Sequence, residues 1–423
     1  ALLREALAAA VVAGLVFQAL RHWGADRYVV PSHSMQPCLF GAARGGDIVL
    51  VDKLASASKL QRYDLGVFRR EGATADLVKR VVSLGDEWIE LRDGDLFVGP
   101  SPQHLVRAVK HPLADRDLRV RWLQWPLPAD AATDAEPESL TDFLSAPRSE
   151  TSGLEVPSFS SADAARTACT EVSRRAARDG ELPTTGSEGT WLATVRAVDA
   201  TYLDARSQRG HEGQSLVVAD FGADLTFRSG TATALLSAIE LRPDSWVFHW
   251  DLRSGRRELW RNGETVATCD RPLPTRSATD ERPVRVEFGH LDGTFFHAVD
   301  GDEASLWTVP MRSEWLTADP GPTAWPLPKN RLALAVLGPD AMPLSSLLVF
   351  RDLHWFRPPL EVGTPASQFV ASKHVPIGSV YLLGDNAVDS NDSRMFGPVP
   401  LAAFVGRPCA VLGPWPRTRM LQR

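Results

Sequence analysis

Cysteine is scarce in this sequence of 423 residues, and the four that occur are widely spaced, at Cys38, Cys169, Cys269 and Cys409. They form no CxxC pair, and no histidine stands at a spacing that would complete a zinc site, so we expect neither a structural metal nor a cofactor. Buried free thiols are the favoured interpretation of these residues. Disulfide bonds are the alternative interpretation, because the sequence does not show whether the protein is in an oxidising compartment.

A strong excess of charge of one sign is also missing. The formal net charge is −6 and the isoelectric point is near 6.0, which gives no sign of the basic surface that nucleic-acid binders use. We therefore expect no nucleic-acid partner. No internal repeat with a convincing period is present.

Long apolar runs are lacking as well. The N-terminal run, residues 6–20, is shorter than the roughly 20 residues that a membrane-spanning helix prefers. A cleaved signal sequence, a buried helix and a membrane anchor are all open interpretations of it. Trp23, just after the run, suits a membrane interface.

What the sequence does contain is a mainly β pattern. With 44% hydrophobic residues in 423, the chain is long enough for two or three domains. Short β-runs broken by Gly and Asp lie at 47–51, 65–68, 77–84, 88–91 and 96–98, and return at 380–383 and 403–406. This pattern predicts an antiparallel, barrel-like domain that is split in the sequence into residues 25–100 and 363–423.

An insertion separates these two halves. Residues 101–189 are polar with weak periodicity, and we expect them to be partly flexible or helical, with a helix at 162–178. Residues 190–362 are rich in tryptophan and strand patterns, with hairpin turns at Asn262-Gly263, Asp292-Gly293 and Asp300-Gly301. Regular short strands with such turns predict an inserted β-sandwich.

The run Arg285–Gly301 and the ending Leu347–Leu353 resemble the concanavalin/laminin-G jelly-roll class. Sandwiches of that class often bind sugars or proteins, so the resemblance implies a carbohydrate or protein ligand for the inserted domain. Trp250 or Trp260 could stack on such a ligand. Large aromatic side chains more often fill a core, which is the interpretation we favour for both.

The stretch from Pro31 to Pro37 offers two hydroxyl groups, on Ser32 and Ser34. In an extended chain both would face one reacting carbonyl, so that one attacks while the other donates a hydrogen bond. Taken alone, the stretch is most typical of an ordinary Ser/Pro-rich turn. Further along, Lys79 lies in an apolar run, where burial would lower its pKa and make it a base, while Arg80 is expected on the opposite, solvated face.

A third stretch, Gly384–Arg394, is a dense polar turn. The sequence resembles bacterial type I signal peptidases, because it contains their four motifs in the same order. The first is Pro31–Leu39, the second is Gly46–Val51 with Tyr63–Phe68, the third is Val78–Asp86 and the fourth is Gly384–Arg394. Enzymes of this family are membrane-anchored serine proteases with a Ser-Lys dyad. Cys38 departs from the family pattern by standing in the position of a threonine, and Ala387 and Val388 replace polar residues.

The resemblance implies a role for each matching residue. Ser34 would be the nucleophile and Lys79 the general base, with the Ser34 amide and the Ser32 hydroxyl forming the oxyanion hole. The supporting residues would be Ser390, which orients the lysine, the charged pair of Asp392 and Arg394, and Asp385. His33, where the family often has Gly or Glu, could suggest a histidine base, but its neighbours in sequence point away from Ser34, so we expect a solvent-facing or packing role.

The resemblance also implies substrates and a location. The substrates would be signal peptides of secretory preproteins, cleaved after small residues in an A-x-A-like pattern. The N-terminal segment, residues 1–24, would be a single-pass anchor in the lipid bilayer of the bacterial cytoplasmic membrane, with the catalytic domain on the extracytoplasmic side. The alternative is a membrane-tethered binding module on a degenerate protease scaffold.

Overall fold

The computed structural model describes the residues 24–70, 72, 75–92, 94–125, 154–168, 191–193, 202–203, 209–210, 218–241, 244–274, 282–312, 315, 330–356, 370–415 and 417–421. The apolar run that we predict to be an anchor lies outside these ranges. Within them, no helix has the length and apolar character needed to cross a bilayer. The chain divides into two compact units, the first formed by Ala1–Ala108 with Leu353–Arg423 and the second by Val109–Asp352.

The first unit is built from short antiparallel strands, which we number along the whole chain. They are β1 Ala25–Val29, β2 Ile48–Asp52, β3 Leu65–Phe68, β4 Leu77–Ser83, β5 Glu87–Arg92, β6 Asp95–Gly99, β7 Val106–Arg107, β24 Val370–Val375, β25 Ser379–Leu383, β26 Val399–Pro400, β27 Phe404–Gly413 and β28 Arg419–Met420. Its short helices are His33–Met35, Ala57–Lys59, Ser393–Phe396 and Leu401–Ala403. The strand runs predicted on both sides of the insertion therefore pair within one unit.

One sheet of this unit carries the candidate site. Its strand order is β1-β2-β27-β3-β4-β25-β26, with β28 beside β27. Strands from the beginning and end of the chain alternate in it, since β27 pairs with both β2 and β3, and β25 pairs with β4. A second sheet has the order β24-β5-β6-β7. The split domain is thus closed by hydrogen bonds between residues more than 300 positions apart, such as Val49 and Val411.

The second unit is also mostly β. Its strands are β8 Val120–Trp125, β9 Glu155–Val156, β10 Ser158–Phe159, β11 Leu192–Ala193, β12 Tyr202–Leu203, β13 Arg209–Gly210, β14 Phe221–Phe227, β15 Ala234–Leu241, β16 Asp244–Asp251, β17 Arg257–Arg261, β18 Glu264–Thr268, β19 Val284–Leu291, β20 Thr294–Val299, β21 Trp307–Pro310, β22 Arg331–Leu337 and β23 Met342–Arg351. Residues Arg116–Leu118 and Glu303–Ser305 form short 3-10 helices, and residues 162–168 are helical.

Two seven-stranded sheets of the second unit share one apolar core. One has the order β10-β22-β15-β16-β17-β18 with β11 beside β22, and the other the order β21-β20-β19-β14-β23-β8 with β9 beside β23. Trp246 and Phe248 of the first sheet pack against Phe295 of the second, with ring centroids 4.5 and 6.5 Å away. This arrangement is what alternating strands with one apolar face produce.

Turns of this unit form where the sequence predicts them. Asn262, Asp292 and Asp300 have φ values of 50°, 48° and 54°, and each is followed by a glycine with positive φ. Residues other than glycine rarely adopt this conformation, and Asn-Gly and Asp-Gly pairs are the usual solution in two-residue hairpins. The hairpins at Asn262-Gly263 and Asp292-Gly293 are confirmed, whereas Asp300-Gly301 is a turn at the start of the seven-residue connection 300–306 between β20 and β21.

The aromatic residues considered as ligand-stacking groups are buried. Trp250 is 1% exposed and Trp260 is 0% exposed, so the idea that either stacks on an external ligand is wrong, and the core interpretation is confirmed. Trp260 is covered by the guanidinium group of Arg166, 3.8 Å from the ring centroid. The likeness to the concanavalin/laminin-G class stays a prediction.

Three of the four cysteines are described, and all three carry free thiols: Cys38, Cys269 and Cys409. Cys269 is buried, as the free-thiol interpretation predicts, whereas the other two are half-buried. Cys169 lies outside the described residues, as does the C-terminal part of the helix predicted at 162–178.

Candidate active site

The serine-containing stretch forms a tight turn after an extended residue. Ser32 has φ −127° and ψ 158°, and His33–Met35 form one turn of 3-10 helix. This turn differs from the fully extended chain that the sequence suggested. It still brings the two hydroxyl groups together, because Ser32 Oγ lies 3.3 Å from Ser34 Oγ and donates to it. Ser34 is 8% exposed, whereas Ser32 is exposed.

The predicted base lies directly beside the predicted nucleophile. Lys79 projects from β4, is 3% exposed, and places Nζ 2.7 Å from Ser34 Oγ. Burial disfavours the ammonium form and lowers the pKa of Lys79 to about 8, against the opposing attraction of the Asp392 and Asp385 carboxylates. About half of the lysine side chains would therefore be neutral near pH 8, and only a neutral amine can accept the serine proton.

The neighbouring arginine is not where the sequence pattern placed it. Arg80 is 1% exposed, so the prediction of a solvated side chain is wrong. Its Nε and Nη2 atoms donate to the two carboxylate oxygens of Asp385 at 2.7 and 2.6 Å, and Nη1 donates to the carbonyl oxygen of Tyr63 at 2.7 Å. Because β4 lies between β3 and β25, and residues 79–83 are all buried, both faces of the strand are covered.

A second buried ion pair lies in the loop that follows β25. Arg394 donates from Nε and Nη2 to the two oxygens of Asp392 at 2.8 and 2.6 Å, and its Nη1 donates to the carbonyl oxygen of Phe356. Burial alone would raise the pKa of Asp392, but the bonds from Arg394 and the Gly384 amide outweigh it and hold that pKa below its ordinary value. Asp392 also caps the short helix Ser393–Phe396 by accepting from the Arg394 amide.

The loop lies so close to the nucleophile turn that only glycine fits at its start. A Cβ atom on Gly384 would lie 2.1 Å from Ser390 Oγ and 2.4 Å from the carbonyl oxygen of Ser34. The Asn386 amide donates to that same Ser34 oxygen at 3.1 Å, and Asn386 Nδ2 donates to the His33 carbonyl oxygen at 3.3 Å. The sequence reasoning missed Asn386, although its place directly after Gly384-Asp385 was a signal that could have found it.

Ser390 reaches the site without making the predicted contact. Ser390 Oγ is buried without a fully formed hydrogen bond, although its hydroxyl lies close enough to Asp392 to help lower the pKa of that carboxyl. The hydrogen bond from Ser390 to Lys79 is therefore not formed in this structure.

His33 faces solvent, as expected. Its side chain is 55% exposed, and Nδ1 lies 3.5 Å from Oδ2 of Asp389, whose side chain is 63% exposed. The Ser34 and Lys79 side chains thus lie in hydrogen-bond contact, next to two buried ion pairs.

Comparison with known proteins points to a peptidase. The family model described as signal peptidase, peptidase S26, matches residues 3–134 and 359–412. The chain is similar to mitochondrial inner membrane protease subunit 1 of Xenopus tropicalis, with 44% identity over 55 residues, which is 13% of this chain and 32% of that protein. It is also similar to the human protein of the same name, with 43% identity over 44 residues, 10% of this chain and 26% of that protein.

These matches support a signal peptidase-like protease, while the chain spans at most 32% of the length of these curated relatives. A solved structure, the exo-inulinase from Aspergillus awamori, aligns with a TM-score of 0.24 and 12% identity, covering 32% of this chain and 25% of that one. A likeness this distant supports no conclusion about fold or function.

Proposed function

We propose that this protein is a signal peptidase-like serine endopeptidase in which Ser34 is the nucleophile and Lys79 the general base. The observation that carries the proposal is the 2.7 Å contact between Lys79 Nζ and Ser34 Oγ, made by two buried side chains. A serine hydroxyl is a weak nucleophile until a base removes its proton. A buried lysine with a pKa of about 8 is suited to that task near neutral pH.

The reaction would proceed through an acyl-enzyme. Neutral Lys79 takes the proton from Ser34 Oγ as this oxygen attacks the scissile carbonyl carbon, and the resulting ammonium group donates the proton to the leaving amine. Water then attacks the ester carbon while Lys79 takes one of its protons, and the ammonium group returns this proton to Ser34 Oγ as the ester bond breaks. The carboxylic acid that is released loses its remaining proton to solvent. Each half of the reaction returns the lysine to its neutral form, so no further proton carrier is needed.

The negative charge on the tetrahedral intermediate needs hydrogen-bond donors. We assign this role to the backbone amide of Ser34 and the hydroxyl of Ser32, supported by the 3.3 Å distance between Ser32 Oγ and Ser34 Oγ. Such a donor typically contributes about 3 kcal/mol to transition-state stabilisation. Before substrate binds, Ser34 Oγ accepts from Lys79 and Ser32 together, which holds it in one orientation.

The remaining matched residues would support the site without reacting. Asp392 and Arg394 fix the loop behind Lys79, and Asp385 neutralises Arg80 on the neighbouring position of β4. Ser390, which is buried without a fully formed hydrogen bond, could orient Lys79 through its hydroxyl once substrate is bound. We give Ser390 this role on the family resemblance alone.

The proposed substrates are signal peptides of exported preproteins, cleaved at the membrane that these proteins cross. The curated relatives are named as mitochondrial inner membrane proteases, and the motif resemblance is to bacterial enzymes of the cytoplasmic membrane. Both are membrane sites, and we propose a membrane-associated protease, with the bacterial location as a prediction. The alternative of a binding module gains nothing from Trp250 and Trp260, which are buried.

The test is cleavage of a preprotein or signal-peptide substrate by the purified protein, with the cut located by mass spectrometry. Ser34→Ala should abolish cleavage, because it removes the attacking oxygen and little else. Thr418→Ala, an exposed hydroxyl in the same unit, is the matched control and should cleave normally. Equal processing by wild type and Ser34→Ala would refute the assignment.

A further inference from the structure

The charges around the serine and lysine are unequally compensated. Asp385 and Asp392 are buried and each is held by two hydrogen bonds from an arginine. Asp389 is different, because its side chain is 63% exposed and its contact is with the imidazole of His33, at 3.5 Å. Asp389 therefore lacks the buried arginine partner that the other two carboxylates have, and its negative charge faces solvent.

Hydrogen bonds hold the Asp389 segment next to the turn that carries Ser34. The Asp389 amide donates to Oδ1 of Asn386 at 3.3 Å, and Asn386 in turn donates to the carbonyl oxygens of His33 and Ser34. Asp389 therefore belongs to a segment bonded directly to the nucleophile turn. Its carboxylate is near enough to attract the ammonium form of Lys79, together with Asp392 and Asp385 and against Arg394.

We infer that Asp389 is a specificity-determining residue, which favours peptides that carry a basic side chain beside the scissile bond. The inference rests on the proposed function and goes beyond it by naming a charge preference of the substrate. A cationic side chain at the rim gains the attraction of Asp389, and an acidic side chain meets repulsion. Because exposed ion pairs are weak, the expected preference in kcat/KM of a lysine peptide over a glutamate peptide is about two- to fivefold.

The test uses the full-length protein and three synthetic signal-peptide-like substrates with alanine at −3 and −1. They differ only in carrying Lys, Gln or Glu at +1, and a second set varies −2 in the same way. At about pH 8 and low salt, the wild type should cleave the Lys peptide fastest and the Glu peptide slowest in at least one set. Asp389→Asn should make the three rates equal, and Asp389→Lys should reverse their order.

Glu303→Gln is the matched control. Glu303 is an exposed carboxylate, 68% accessible, that also contacts a histidine, His111, at 3.2 Å. Among the described contacts, none joins Glu303 to Asn386 or to the nucleophile turn, so its loss should leave the preference unchanged.

Two failures are distinguishable. If Asp389→Asn cleaves with the wild-type preference, or the wild type shows no preference in either set, the specificity role is overturned while the peptidase stands. If Ser34→Ala cleaves the peptides as fast as the wild type, the proposed function itself is wrong.

Discussion

Replacing Lys79 by methionine should stabilise the protein at neutral pH while removing its proposed activity. Methionine has a similar length and no charge, so it fills the space of a side chain that is 3% exposed without requiring an ammonium group to leave water. The folded-state pKa of Lys79 is about 8 against an ordinary 10.5, with burial as the largest cause. The wild type therefore carries a cost of folding that the variant lacks.

The size of this cost depends on pH. Below the folded-state value both states bind the proton, and the difference of 2.5 between 10.5 and 8 corresponds to about 3 kcal/mol. Between the two values the unfolded chain binds more protons, so the free energy of unfolding of the wild type rises with pH. The advantage of Lys79→Met should thus be largest below about pH 8, fall to about 2 kcal/mol near pH 9, and lose nearly all of its pH-dependent part by about pH 10.5.

The measurement is urea unfolding of the full chain at a series of pH values, comparing the variant with the wild type at each. Groups that titrate alike in both proteins cancel in this difference, and the loss of the hydrogen bond to Ser34 adds a constant that does not change with pH. Lys59→Met, at an exposed position, is the control and should give a difference that does not change with pH. A flat difference for Lys79→Met, within about 0.5 kcal/mol, would mean that the lysine is not buried as an uncompensated charge.

Three further predictions concern the same site. Lys79→Arg should be nearly as inactive as Lys79→Ala, with a loss on the order of 100- to 10,000-fold in the rate of peptide cleavage, because arginine stays protonated; substantial activity would mean that the residue supplies charge and not basicity. The wild-type cleavage rate should fall about tenfold per pH unit below a midpoint of about 8 as Lys79 becomes protonated. A cleavage rate that does not change from acid to alkaline pH, with chemistry limiting, would contradict this. Arg80→Ala should cost about 3–5 kcal/mol in urea unfolding because it leaves Asp385 buried and unpaired, whereas a loss below about 1 kcal/mol would show that water reaches the carboxylate.

Strand positions were predictable because they depend on local alternation. The predicted run at 65–68 coincides with β3. The run at 77–84 extends one residue beyond the end of β4, and the run at 88–91 is one residue shorter than β5 at each end. The strand β8 was missed because Val120–Trp125 lies in a segment whose polar composition suggested flexibility, and its partner is β23, more than 200 residues away. Pairing over such distances leaves little trace in a local pattern.

The position of one tryptophan shows the same limit. Trp355 falls within the range predicted for the inserted domain, but it lies in the first unit. There it stacks on Tyr63 with a centroid distance of 6.3 Å and donates from Nε1 to the carbonyl oxygen of Gly384 at 3.2 Å. The high tryptophan content of residues 190–362 indicated the inserted domain, but it did not indicate where that domain ends.

The candidate site was predictable to the extent that its chemistry is local to each motif. Ser32, Ser34 and Lys79 could be chosen from residue type and surroundings, but the strand alternation that suggested a buried Lys79 also suggested an exposed Arg80. Alternation distinguishes the two faces of a strand only when one face meets water, and β4 is covered on both. The arginine is buried because a carboxylate 305 positions later in the chain neutralises it.

Residues far away in the sequence also affect the pKa of Lys79. Burial lowers the pKa of Lys79, and the carboxylates of Asp392, Asp385 and Asp389, all from the C-terminal part of the chain, oppose that effect. Arg80 and Arg394 neutralise the first two through buried pairs, so that the site can hold carboxylates near the lysine without fully restoring its charge. The proposed base therefore depends on both parts of the split domain, since the first supplies Lys79 and its apolar strand, and the second supplies the carboxylates and Arg394 that act on its pKa.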